Sequence, residues 1–124
     1  MYNSQLEEFV HAWFSDLDQL KESKVFLERL HEDFEFNIYG TKLYGHKGFL
    51  SIYRGMQAQS DTQAKHIASN VVVEQVTETL YQINFDIALE HSLDGGMTSR
   101  SESVEEWLIK VDAGRSIIMK YAII

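Results

Sequence analysis

Hydrophobic and polar positions alternate along the chain with two distinct periods. Leu6, Phe9, Val10, Trp13, Phe14, Leu17 and Leu20 recur at i, i+3, i+4 and i+7. That spacing predicts an amphipathic helix over 4–20, with one buried stripe. Ser4 followed by Glu7 fits a capping box at its start. On the helical wheel Asp16 falls at the edge of the stripe beside Phe9, Asp18 points further out, and His11 points away. A short second helix, 23–31, carries Val25, Phe26, Leu27 and Leu30. Phe34, Phe36 and Ile38 then alternate with polar residues, predicting a strand over 33–38. Tyr39 has the opposite parity to these three. Thr41 to Tyr44 reads as a small hairpin partner after Gly40. Gly45 to Gly48 opens a third helix over 46–58, with Phe49, Leu50, Ile52, Tyr53 and Met56 on its apolar face. Gln57 to Gln63 is polar and reads as a loop.

The period then changes to two. Residues 65–74 hold Val71, Val72 and Val73, apolar on both faces, as in a central or doubly covered strand. In 79–91 the odd positions Tyr81, Ile83, Phe85, Ile87 and Leu89 form an apolar face, and His91 extends it by parity. Ser92 to Met97, containing Asp94-Gly95-Gly96, reads as a turn. Residues 98–111, with Trp107, form a further strand. Asp112 to Arg115 is a short turn, and 116–123 a last strand with Ile117, Met119, Tyr121 and Ile123 on one face. Helices followed by antiparallel strands define an α+β class. Three helices from the N-terminal half pack on one face of a curved, mixed or antiparallel sheet, forming a cone with an interior pocket.

Composition narrows the function. The chain has 124 residues, enough for one domain that buries about two-thirds of its unfolded surface. A net charge of -8 and no basic run argue against nucleic acid and anionic lipid as partners. No apolar run is long enough to span a bilayer, and the N-terminus lacks a signal-peptide pattern, so a cytoplasmic location is expected. There are no cysteines, which excludes disulfides and thiolate chemistry. His31, His46, His66 and His91 are scattered without metal-ligand spacing, so neither a metal nor another cofactor is expected.

His66 and His91 stand near the outer ends of the two long strands. A histidine can take and return a proton near neutrality, so two facing one cavity suit elimination or isomerisation. They share a face only if the strands pair in odd register. A connection from Gln75 to Glu78 pairs Glu74 with Thr79 and sets His66 opposite Ile87, which satisfies that condition. His66 and Ala68 then look inward with Asn70 and Val72, while Ile67, Val71 and Val73 look outward, with Leu108 and Ile118 beside them. Trp13, Tyr53, Phe85, Trp107, Met119 and Tyr121 are candidate walls for a flat apolar ligand.

Four stretches in order carry a family resemblance: Trp13-Phe14-Ser15-Asp16-Leu17-Asp18, Leu30-His31-Glu32-Asp33-Phe34-Glu35-Phe36, Tyr44-Gly45-His46-Lys47-Gly48-Phe49 and Lys65-His66-Ile67-Ala68-Ser69-Asn70. Together they resemble the nuclear-transport-factor-2-like superfamily, and within it the SnoaL-like group. Its members include isomerases, dehydratases, cyclases and non-catalytic modules. The spacing of 25 residues between His66 and His91 is similar to that in scytalone dehydratases. That similarity implies a catalytic set of His66, His91, a first-helix aspartate and Tyr39. Asp16 is the better match for the aspartate, and Asp18 the alternative. The tyrosine that precedes it there is replaced here by Phe14 or Ser15. The resemblance implies a cofactor-free lyase or isomerase acting on a small apolar or aromatic molecule, or else a non-catalytic ligand-binding or dimerisation module. It also implies a homodimer through the convex sheet face.

Overall fold

A computed structural model describes residues 3–58, 64–92, 96 and 98–124. Helix α1 (Asn3–Asp18) and the short α2 (Ser23–Leu27) precede β1 (Leu30–Ile38) and β2 (Thr41–Tyr44). Helix α3 (Gly45–Ala58) leads to β3 (Ala64–Gln75), β4 (Leu80–Ser92), β5 (Thr98–Asp112) and β6 (Arg115–Ile123). The strands form one mixed sheet in the order β2-β1-β6-β5-β4-β3. Only β1 and β6 run parallel; the other neighbours are antiparallel. The expected α+β arrangement, N-terminal helices on a mixed sheet, is the one observed.

Helix α1 buries Leu6, Val10, Trp13, Phe14 and Leu17, the predicted stripe. Ser4 lies inside this helix, so it is not the cap. The helix stops at Asp18 because Leu20 takes a φ of 50° and turns the chain back. Helix α2 is shorter than its apolar residues suggested. Leu30 and His31 belong to β1, where Leu30 pairs with Ile118. The expected loop residues 59–63 and most of the 92–97 turn lie outside the described residues.

Among the described residues the sheet's register shifts at three places, one of them between Leu30 and Glu35 of β1; the other two bear on the site. Strands β3 and β4 pair Gln75 with Tyr81 and Glu74 with Gln82 next to their turn, not Glu74 with Thr79. Continued unbroken, that pairing would put His66 opposite Glu90, on the outer face. A bulge between Ser69 and Val72, with Asn70 at φ 54°, shifts the register. His66 then sits opposite Leu89, and the odd register near the histidines holds, though the partner is not Ile87. Asparagine tolerates positive φ better than most residues, and Asn70 Nδ2 donates to Asp86 Oδ2 at 2.7 Å.

This bulge also reverses part of the expected outer face. Val71 and Val73 pack against the core, while Val72 is exposed. A second bulge lies where Leu108 and Ile109 meet Lys120 and Ile118. It makes Met119 the extra residue, so Ile118 is fully buried and Met119 stands outside the core cluster. Ile118 therefore does not belong to the outer face.

The core is aromatic. Trp13, Phe26, Phe34, Tyr53 and Trp107 have essentially no exposure. Trp13 meets Phe26, Phe49, Trp107 and Tyr121 at ring-centre distances of 5.1, 5.7, 5.8 and 5.9 Å. Such edge and tilted contacts add to the large area each ring buries.

Candidate functional site

The last residue of α1 is the one that reaches the edge strand. Asp18 accepts the backbone N–H of His66 through both carboxylate oxygens, at 3.1 and 3.0 Å. Its Oδ1 also lies 2.6 Å from His66 Nδ1. A carboxylate only accepts, so Nδ1 carries the proton and Nε2 is left as the basic nitrogen. Among the described residues nothing bonds Nε2. The ring of Phe14 lies over the imidazole at 5.2 Å, with 25° between their planes. Phe14 itself touches Phe85 and Trp107, both at 5.8 Å, and so separates His66 from the deep core. On the other side, His11, Ser15, Asp18, Gln19, Lys65 and His66 line an open groove of about 360 Å³ along the α1–β3 seam.

The expected orienting residue, Asp16, is committed elsewhere. Its oxygens meet Lys21 Nζ at 2.8 Å and Arg29 Nη2. Burial raises its pKa, but hydrogen bonds and charge from Lys21 and Arg29 outweigh that and hold the carboxyl below its ordinary value. The turn at Leu20 folds Lys21 back onto it. Asp16 thus ties the end of α1 to the chain after α2 and does not reach His66. Tyr39 is also displaced from the expected set. It occupies the β1–β2 turn at φ 49° and is 68% exposed. Its parity, opposite to Phe34 and Phe36, already pointed away from the core.

His91 is half-buried and pairs with Ala64 and Ser99. It lies two residues beyond Leu89, the partner of His66, so the two histidines are diagonal neighbours on one face. Ladder geometry separates such Cα atoms by about 7–8 Å. Trp13, Tyr53, Phe85, Trp107 and Tyr121 come together as expected, but they pack on one another and are each at most 5% exposed. At their level the interior is filled by rings.

One ionisable residue within this interior was missing from the expected set. Glu105 is 3% exposed. It faces inward on β5, opposite Phe85 and Ile123. Trp107 Nε1 donates to its Oε1 at 3.1 Å, and Tyr121 bonds it as well. Burial pushes the carboxyl up to about 7 against these donors, and burial also raises Tyr121 well above its ordinary value. The signal was available: Glu105 shares its parity with Trp107, Ile109 and Val111, the buried face of the strand.

No protein-family profile and no curated protein matches the chain by sequence. Solved structures do match in shape. A Catenulispora acidiphila protein in complex with S-DNPA superposes with a TM-score of 0.83 at 11% identity, covering 97% of this chain and 90% of that one. An NTF2-like protein with a cystatin-like fold from Novosphingobium aromaticivorans gives 0.83 at 12%, covering 97% and 79%. A candidate scytalone dehydratase from the same organism gives 0.80 at 13%, covering 95% and 79%. The fold is therefore the NTF2-like, cystatin-like one, as the sequence resemblance implied. Among the described residues no helix is long and apolar enough to cross a membrane.

The buried acid makes stability depend on pH. The unfolded carboxyl titrates near 4.5 and the folded one near 7. Between these values the folded state holds the extra proton. The contribution of Glu105 to stability is thus greatest below about 4.5, falls as pH rises, and levels off above about 7. Denaturant titrations should show wild type losing on the order of 3 kcal/mol relative to Glu105→Gln between pH 4.5 and 8. A difference that does not change with pH would contradict the assignment.

Proposed function

We propose that the protein binds a small, mostly apolar or aromatic molecule and acts on it by cofactor-free acid–base chemistry of the lyase or isomerase type. The observation that carries this reading is the double hold of Asp18 on His66, at backbone and ring. His66 Nε2 is the base. Asp18 fixes the tautomer and stabilises the imidazolium that forms. His91, on the same face, is the acid that returns the proton. The TM-score of 0.83 to the Catenulispora protein, which was solved with a small molecule bound, supports a ligand-binding use of the fold. The packed interior around Trp13 and Trp107 favours a second reading, a non-catalytic binding module in which Asp18 merely caps the edge of β3.

The two readings separate experimentally. A panel of enolisable ketones in deuterated buffer reports base catalysis as loss of the exchanging proton signal. His66→Ala should lower the exchange rate by about 10²–10⁴-fold and Asp18→Asn by less. Exchange that is absent in wild type, or unchanged in His66→Ala, favours the binding module.

We also infer a homodimer through the convex sheet face, where exposed Val72 and Val104 lie near Ile67, Leu108 and the 7%-exposed Ala88. Exposed apolar side chains grouped in this way mark interfaces. Sedimentation should give a dimer for wild type and a monomer for Val104→Glu. A monomeric wild type would refute the interface.

A further inference from the structure

The last turn of α1 holds His66 from two directions. Phe14 and Asp18 stand four residues apart on the helix, so their side chains project from one face. Asp18 meets the imidazole at its edge, through Nδ1. Phe14 meets it on its flat side, with ring centres 5.2 Å apart and 25° between the planes. One hydrogen bond at Nδ1 leaves an imidazole free to rock about the line to its carboxylate. A ring lying on the flat side removes that freedom.

The stack is backed by the core. Phe14 is buried and leans on Phe85 at 72° and on Trp107 at 37°, so it cannot turn aside without opening a gap between close-packed rings. The His66 side chain is only 13% exposed. A cation formed there gives up most of its water, which is costly unless other groups take the place of that water. Three features can do so. The Asp18 carboxylate is bonded to the ring. The carbonyl end of α1, where Asp18 stands, favours a positive charge. The π face of Phe14 attracts a cation lying within about 6 Å of its centre. A neutral imidazole gains far less from that face, so the stack discriminates between the two protonation states.

We propose that Phe14 is a positioning residue for the base: its ring holds the plane of the His66 imidazole and stabilises the imidazolium that forms when Nε2 takes a proton. This rests on the reading of His66 as a base and adds a second support beside Asp18. In the step concerned, a ligand C–H bond breaks, its electron pair stays on the ligand, and the proton goes to Nε2 while Nδ1–H stays with Asp18. Among the described residues the titratable groups around the ring are Asp18 and His11 of α1, Lys65 beside it on β3 and His91, its diagonal neighbour on β4. Phe14 carries no charge, so changing the electrons of its ring alters the charge of none of them.

The test replaces Phe14 in turn by mono-, di- and trifluorinated phenylalanine, which keep the shape of the ring while draining its π face. Nitrogen-15 NMR of the His66 ring gives the ratio of imidazolium to neutral imidazole at one fixed pH, with no ligand present. That ratio should fall stepwise along the series, by about two- to fivefold in all, while the Nδ1–H signal bonded to Asp18 persists. Phe14→Met, which fills the space without a ring face, should lower the ratio at least as far. Proton exchange from the enolisable ketones should slow in the same order. A ratio indifferent to fluorination overturns the proposal, and so does a ratio that falls in Phe14→Met alone, because the ring then acts only by filling space. A ratio that falls along the series while wild type shows no ketone exchange supports the stack and refutes the base reading under it.

Discussion

One extra residue in an edge strand decides which side chains the interior receives. The bulge at Asn70 divides β3 into two halves of opposite phase. Outside it, His66 and Ala68 turn inward; inside it, Val71 and Val73 do. An unbroken ladder could satisfy only one half, because a one-residue slip sends every side chain to the other face. With the bulge, the valines close the core under β4 and the imidazole still meets α1. Helix α1 is held in turn by the Asp16–Lys21–Arg29 cluster, which sets where its final carboxylate, Asp18, arrives. Backbone strain accepted by Asn70 and charge pairing at Asp16 thus jointly position one histidine.

The two polar features of the concave side differ in kind. At the seam, carboxylate and imidazole are largely buried and bonded to each other, Asp18 Oδ1 lying 2.6 Å from His66 Nδ1. In the interior, the loss of solvation on burial works against the Glu105 anion despite two donors. Phe14 stands between them, stacked on His66 and touching Phe85 and Trp107. Paired with Leu89 and Phe85, about 13 Å apart along β4, His66 and Glu105 do not share one proton.

Much of the fold was legible from periodicity. The α1 stripe from Leu6 to Leu17 and the β4 alternation from Tyr81 to Leu89 are direct consequences of burial on one face. The bulges were not legible, because hydrophobicity is blind to a one-residue phase change. Val71, Val72 and Val73 are equally apolar, and only the tolerance of Asn70 for positive φ hinted at which faces out. Met119 and Ile118 exchanged places for the same reason. At the site, a helical wheel ranks Asp16 and Asp18 by angle but does not say what crosses the helix end. Asp16 is indeed buried, yet its partners Lys21 and Arg29 come from beyond the helix. Tyr39 and Glu105 were readable in principle, the first by parity away from the core and the second by parity toward it.

Asp18, bonded to His66 Nδ1, holds the ring in the tautomer that leaves Nε2 bare. Nitrogen-15 NMR of the His66 ring measures this directly. The Nδ1–H tautomer should dominate in wild type, with a hydrogen-bonded Nδ1–H signal that disappears in Asp18→Asn. A ring that carries its proton on Nε2, in wild type and variant alike, would contradict the claim.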